Sequence, residues 1–141
     1  MKPKISVVTL GVDSLEASLK FYRDGLGWQT KGIMATQYQG DDKDAAGAVV
    51  MFRLNDDLIL ALYPRKELAK DANRPLDPKS ATEFSLGHLV ESRSEVDELI
   101  DLAVTAGAIS SEPPRERPWG IYSGYFQDPD GHLWEIIWNH E

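Results

Sequence analysis

Apolar and polar residues alternate along the chain in two rounds of the same order: a strand, a helix and three further strands. In the first round, residues 5–12 favour Ile, Val and Thr and predict a strand, after which Asp13 opens a helix with Glu16 completing a capping box. The apolar face of this helix repeats at helical spacing, on Leu15, Leu19, Tyr22 and Leu26. Further strands are predicted near residues 29–38, 48–54 and 58–63, with a hairpin turn at 55–57.

The second round repeats this order with different residues. Phe84 to Val90 predict a strand, Ser92 and Glu95 form a capping box, and Gly107 ends the helix. The apolar face of this helix consists of Val96, Leu99, Ile100, Ala103 and Val104. The remaining strands are predicted near residues 108–111, 121–127 and 133–139.

The pattern therefore predicts an α+β fold, with one domain over residues 1–141. Two βαβββ modules, at residues 4–64 and 83–139, are joined by a linker at 65–82 that holds a short helical stretch.

The last two predicted strands form the most informative stretch of the chain. Residues 128–131 read Asp-Pro-Asp-Gly and predict a tight turn, because Pro presets φ and Gly tolerates a strained position. If Asp128 pairs with Gly131 across this turn, Tyr122, Gly124 and Phe126 lie on the same face of the sheet as Glu135. A carboxylate inside an apolar strand costs free energy unless a metal, a cation or a hydrogen-bonded ligand compensates it.

Three segments resemble the vicinal oxygen chelate superfamily, the glyoxalase and bleomycin-resistance family. Residues 8–22 are similar to its opening strand and helix, residues 58–65 to its fourth strand, and residues 119–139 to its closing hairpin. The resemblance implies two βαβββ modules whose curved mixed sheets surround a shared cleft.

The resemblance also implies four metal-binding positions, two in each module. In this chain they fall on Val7, Ala61, Ser85 and Glu135. Only Glu135 is a competent ligand, and a catalytic zinc needs about three protein ligands. The histidines, His88, His132 and His140, lack the spacing of a metal motif. We therefore expect neither a bound metal nor another cofactor.

Composition narrows the possible partners. The chain has 141 residues, no cysteine and a formal charge of −8, so disulfides and thiol chemistry are excluded and the phosphates of nucleic acid would be repelled. It contains neither a long apolar run nor a signal-peptide pattern. We expect a cytoplasmic protein that binds neither nucleic acid nor membranes.

The leading functional hypothesis is a metal-independent protein that holds a partly apolar small molecule in the cleft. The residues predicted to bind the ligand are Val7, Thr9, Ser85, Trp119, Tyr122, Gly124, Phe126 and Glu135. A Pro-rich loop at residues 113–120 carries Arg115 and Arg117, which either pair with an anionic ligand or are solvated.

Two alternatives stay open. The first is a lyase or isomerase of glyoxalase type, in which Glu135 is the general base. The second is an interaction module whose cleft has lost its function. Because open sheet edges are commonly covered by a second subunit, we also expect a twofold homodimer.

Overall fold

A computed structural model of the protein describes residues 1–140. The chain divides into two compact units, with the boundary between Pro78 and Lys79. Each unit contains one four-stranded mixed sheet with helices, so the predicted α+β fold is confirmed. Within the described residues, no helix has both the length and the apolar character needed to cross a membrane.

The first unit begins with a strand and a short helix that continues into π-helical turns. Its elements are β1 (Val7–Val12), α1 (Leu15–Leu19), the π-helical segment (Lys20–Gly25), β2 (Ile33–Met34), β3 (Val49–Arg53), a short 3-10 helix (Asn55–Asp57), β4 (Ile59–Pro64) and α2 (Arg65–Asp71). The strand order is β1-β4-β3-β2, with β1 parallel to β4 and the other neighbours antiparallel. The predicted strand at 29–38 is shortened to two residues.

The core of this unit lies between the sheet and α1 with its π-helical continuation. Leu15, Leu19 and Tyr22 are buried as predicted, whereas Leu26 is partly exposed. The rings of Tyr22, Trp28 and Phe52 pack against one another with centroids 5.4–5.8 Å apart. Aromatic rings at this separation contribute beyond the area that they bury.

The N-cap of α1 is Ser14, so the prediction that Asp13 opens the helix is wrong. Ser14 has an extended backbone, and its Oγ accepts a hydrogen bond from the Ala17 backbone N–H at 3.1 Å. Both residue types are good caps. Which of the two residues caps the helix depends on where the helical backbone starts. Two adjacent cap residues in a sequence do not show this.

The second unit has a longer helix packed on its sheet. Its elements are β5 (Leu86–Leu89), α3 (Arg93–Ala106), β6 (Ser110–Arg117), β7 (Ile121–Gln127) and β8 (Leu133–Asn139). The strand order is β5-β8-β7-β6, with β5 parallel to β8.

The predicted ends of α3 are confirmed. Ser92 Oγ accepts a hydrogen bond from the Glu95 N–H at 3.2 Å, and Gly107 ends the helix with a φ of 114°. The prediction is wrong for Val104, which is 51% exposed at the margin of the face formed by the buried Val96, Ile100 and Ala103.

The predicted Pro-rich loop is instead a strand. β6 continues through Pro113 and Pro114 as far as Arg117, and its register against β7 shifts by one residue between Glu112 and Arg115. Proline is tolerated here because β6 has a neighbour on one side only and the shift is a bulge. A run rich in proline suggests a loop unless its place at a sheet edge is known.

Helix α1 contains a polar group whose removal should increase stability. The Ser18 side chain is fully buried, and within the described residues its hydroxyl has no hydrogen-bond partner. Ser18→Ala is expected to raise the free energy of unfolding by about 1 kcal/mol, because it removes an unpaired polar group and favours the helix. Urea denaturation measures this change.

Ser14→Ala in the same helix is the matched comparison. It removes the cap and should lower the free energy of unfolding by about 1 kcal/mol. Equal destabilisation by both substitutions would show that the Ser18 hydroxyl is paired in solution.

Candidate functional site

The register of the last hairpin differs by one residue from the predicted register. Gln127 lies opposite Leu133 and Tyr125 lies opposite Glu135. The cause is a turn one residue longer than predicted, in which the Asp128 N–H donates to the His132 carbonyl at 2.9 Å. Because side chains alternate between the two faces, a shift of one residue moves a whole set to the other face.

The predicted grouping of Tyr122, Gly124 and Phe126 with Glu135 is therefore wrong. These residues lie on the α3 side of the sheet, where the Tyr122 hydroxyl donates to Asp97 at 2.5 Å. A Cβ on Gly124 would lie 3.1 Å from a side-chain carbon of Ile100, and Phe126 is buried. All three belong to the contact between helix and sheet.

The opposite side of the same sheet carries the polar group around Glu135. We call it the Glu135 face and define it by Arg115, Arg117, Ser123, Tyr125 and Glu135. Cross-strand pairing brings them together: Arg115 lies opposite Ser123, and Tyr125 lies opposite Glu135. Ser123 is fully buried, while Arg117, Tyr125 and Glu135 are partly buried.

A chain of hydrogen bonds orders this face. Arg117 Nε donates to Ser123 Oγ at 2.6 Å, and Ser123 Oγ donates to Glu135 Oε2 at 2.8 Å. The Ser123 hydroxyl thus accepts from a cation and donates to an anion. Hydrogen bonds to charged groups are stronger than those between neutral groups. These two bonds therefore hold the Glu135 carboxylate in one orientation.

Tyr125 remains protonated beside this carboxylate. Burial raises the pKa of the Tyr125 phenol, and its interaction with Glu135, by charge and by a hydrogen bond, raises it further; Arg117 and Arg115 oppose the rise. The Arg117 guanidinium carbon lies 5.3 Å from the centre of the Tyr125 ring. Glu112 lies opposite Tyr125, so this side of the sheet presents a neutral hydroxyl, two carboxylates and two cations.

The other predicted ligand-binding residues lie elsewhere. Thr9 pairs with Ala61 in the first unit, so Val7, Thr9 and Ala61 share one face of that sheet. Ser85 is exposed and precedes β5 by one residue. Trp119 occupies the turn between β6 and β7, where it is 81% exposed and has a φ of 66°.

The four metal positions implied by the sequence resemblance do not fit a metal ion. Val7 and Ala61 offer only hydrocarbon, and Ala61 is buried within β4. Ser85 is a neutral hydroxyl, and Glu135 is already engaged by Ser123. Residues 1–140 contain no cluster of three or more His, Cys, Asp or Glu side chains that could hold an ion.

Two residues of the Glu135 face, Ser123 and Tyr125, were not predicted from the sequence. Asp128 is the sequence signal that could have identified them, because it sets the length of the turn. The side chain of an Asp at the start of a turn often accepts a hydrogen bond from the backbone N–H two residues further on. Its Oδ1 accepts from the backbone N–H groups of Asp130 and His132, both at 2.9 Å. This closes a longer turn and brings Ser123 and Tyr125 to Glu135.

Comparison with known proteins identifies the family. The sequence model of the Glyoxalase/Bleomycin resistance protein/Dioxygenase superfamily matches residues 4–136, and the chain belongs to this superfamily. No curated protein matches the sequence. Among solved structures, a glyoxalase-related enzyme from Fulvimarina pelagi is 30% identical, with a TM-score of 0.74 over 97% of this chain and 88% of that one.

Two further structures are similar in fold. Lactoylglutathione lyase from Agrobacterium tumefaciens is 23% identical, with a TM-score of 0.65, and covers 98% of this chain and 95% of its own. The fosfomycin resistance protein FosX from Listeria monocytogenes is 21% identical, with a TM-score of 0.68, over 98% and 94% of the two chains. At these identities the likeness extends to the fold alone.

The raised pKa of Tyr125 predicts a loss of stability in alkali. Above a pH of about 10 the unfolded chain loses the phenolic proton while the folded protein keeps it, so the free energy of unfolding falls as pH rises. Tyr125→Phe should make this fall less steep in a series of urea denaturations. Part of the slope should remain, because the pKa values of Tyr63 and Tyr122 are also raised.

Tyr38→Phe is the control, since Tyr38 is an exposed tyrosine of the first unit. If the slopes of the Tyr125→Phe variant and the wild type coincide, burial and Glu135 do not retain the proton.

Proposed function

We propose that this protein binds a partly apolar small molecule without a metal, and that the ligand contacts the Glu135 face. The supporting observation is that Ser123, itself bonded by Arg117, holds Glu135, whereas the other three positions corresponding to metal ligands are hydrocarbon or a neutral hydroxyl. A carboxylate has about four acceptor positions. Ser123 and Tyr125 occupy part of this capacity, and the rest is available to a ligand donor.

Apolar residues surround the polar group on the same face. Ile137 lies opposite Ser123 on one side and Leu89 on the other, and Leu133 lies opposite Gln127. Leu89 is 69% exposed and is therefore accessible to a ligand. A few placed polar groups among apolar side chains are the usual composition of a small-molecule site.

Proton transfer by a lyase or isomerase is the second candidate, and Tyr125 is the observation that favours it. In this reaction Glu135 takes a proton from a carbon next to a carbonyl, and the developing enolate needs a hydrogen-bond donor or a cation. Tyr125 is a protonated donor beside Glu135, and Arg117 lies over its ring. Solvent-deuterium exchange into a bound ketone, followed by NMR, distinguishes this candidate from simple binding.

Replacement of Glu135 by Gln tests the proposal. Glu135→Gln keeps the shape and removes the charge, so ligands found by a thermal-shift screen should bind roughly tenfold more weakly by calorimetry. Glu98→Gln, at an exposed position on α3, is the control for the change in net charge. Treatment of the wild type with a chelator should leave binding unchanged.

The opposite result has a distinct signature. If Glu135 only remains from an ancestral metal site, Glu135→Gln should bind every screened ligand unchanged and unfold with a free energy higher by roughly 1–3 kcal/mol. That combination would exclude a role for Glu135 in binding.

We also propose a twofold homodimer, supported by the sheet edges. The first sheet ends in β1 and β2, and the second in β5 and β6. Edge strands are commonly covered by another chain. Sedimentation velocity should give the mass of a dimer at micromolar concentration, and a single monomeric species would refute the dimer.

A further inference from the structure

The bulge in β6 determines which face carries its arginines. Glu112 lies opposite Tyr125 and Arg115 lies opposite Ser123, so three steps along β6 match two steps along β7. Without the extra residue, Pro114 would lie opposite Ser123, and Arg115 would be on the α3 side with Tyr122.

With the bulge, both arginines are on the Glu135 face. Arg115 and Arg117 are two residues apart in one strand, which places them on the same side of the sheet. Arg115 contributes to the electrostatic environment of the Tyr125 hydroxyl, as expected for a cation near it. Glu116, between them, lies on the other side, where it pairs with Arg93 at 2.8 Å.

The two guanidinium groups retain donors for a ligand. Arg117 uses Nε and Nη2 on the Ser123 hydroxyl and carbonyl, at 2.6 Å and 3.3 Å. Within residues 1–140, its Nη1 and the whole Arg115 guanidinium have no hydrogen-bond or ion-pair partner in the protein. An arginine presents five N–H donors, and its planar fork matches an oxyanion.

The charges on this face select the anion. Glu112, opposite Tyr125, is also on this side of the sheet, so two arginines accompany two carboxylates and, with Tyr125 neutral, the charges sum to about zero at neutral pH. The whole chain carries −8, but at physiological salt the screening length is about 8 Å, so the potential at the site depends mainly on these nearby groups. A monoanion on the arginine forks brings the sum to about −1, whereas a phosphate dianion would bring it to about −2 beside Glu112 and Glu135.

We propose that Arg115 and Arg117 form a subsite for the carboxylate of a small 2-hydroxy acid, whose hydroxyl donates to Glu135. The carboxylate lies on the arginine forks, and its neighbouring hydroxyl uses the acceptor capacity that Ser123 and Tyr125 leave on Glu135. The apolar remainder of the ligand contacts Leu89, Leu133 and Ile137. This assignment rests on the proposed binding function and adds the chemical class of the ligand.

Four probes test the assignment by calorimetry with the 141-residue chain. Mandelate has the carboxylate, the hydroxyl and an apolar ring; mandelamide lacks the charge, phenylacetate lacks the hydroxyl, and inorganic phosphate is the competing oxyanion. Mandelate should bind roughly tenfold more tightly than mandelamide or phenylacetate, since each analogue loses one charge-assisted interaction. Phosphate should bind more weakly than mandelate.

Substitution of Arg115 should affect only the anions. Arg115→Gln is expected to weaken mandelate and phenylacetate roughly tenfold and to leave mandelamide unchanged. Arg74→Gln, in the first unit, produces the same change in net charge and should affect none of the probes. Because Arg115 is exposed, the variant should fold, and its melting temperature without ligand checks this.

The outcomes separate this inference from the proposed function. If Arg115→Gln binds mandelate as tightly as the wild type, or phosphate binds more tightly than mandelate, the carboxylate subsite is refuted. If neither acid binds but mandelamide or a neutral compound from the screen does, the subsite is refuted and the binding function stands. If no compound binds, both are refuted.

Discussion

The arrangement of the second unit depends on the turn that Asp128 closes. Its carboxylate is fully buried and accepts two backbone N–H groups, so the turn keeps its length even though β7 and β8 could pair in another register. Every side chain of the two strands takes its face from that length. Removing the acceptor would leave one buried and one partly buried backbone donor unpaired, and this cost maintains the pairing of Tyr125 with Glu135.

The two units use the same order of strands for different chemistry. In the first sheet the face that holds Val7, Thr9 and Ala61 is mainly apolar, and in the second the corresponding strands hold Glu135 and its partners. The fully buried Ser123 connects a cation to an anion. A fully satisfied polar group of this kind has one low-energy arrangement and is rigid before a ligand arrives.

Much of the fold could be predicted from local signals. The strand and helix order, the cap at Ser92 and the end at Gly107 each follow from residues within a few positions of one another. The errors have a different origin. The cap at Ser14, the strand through Pro113 and the partners of Glu135 each depend on a single residue of register or on a position at a sheet edge, which tertiary contacts determine.

The bulge at residues 113–114 makes the faces of β6 sensitive to the length of the strand as well as to its residues. A substitution in β6 alters one side chain, but the gain or loss of one residue there exchanges the sets of side chains that the rest of the strand presents on its two sides. Ligand preference can therefore diverge between relatives through length variation in β6, while their amino-acid composition stays nearly constant. An alignment that places such a gap without regard to the bulge would match residues whose side chains point to opposite sides of the sheet.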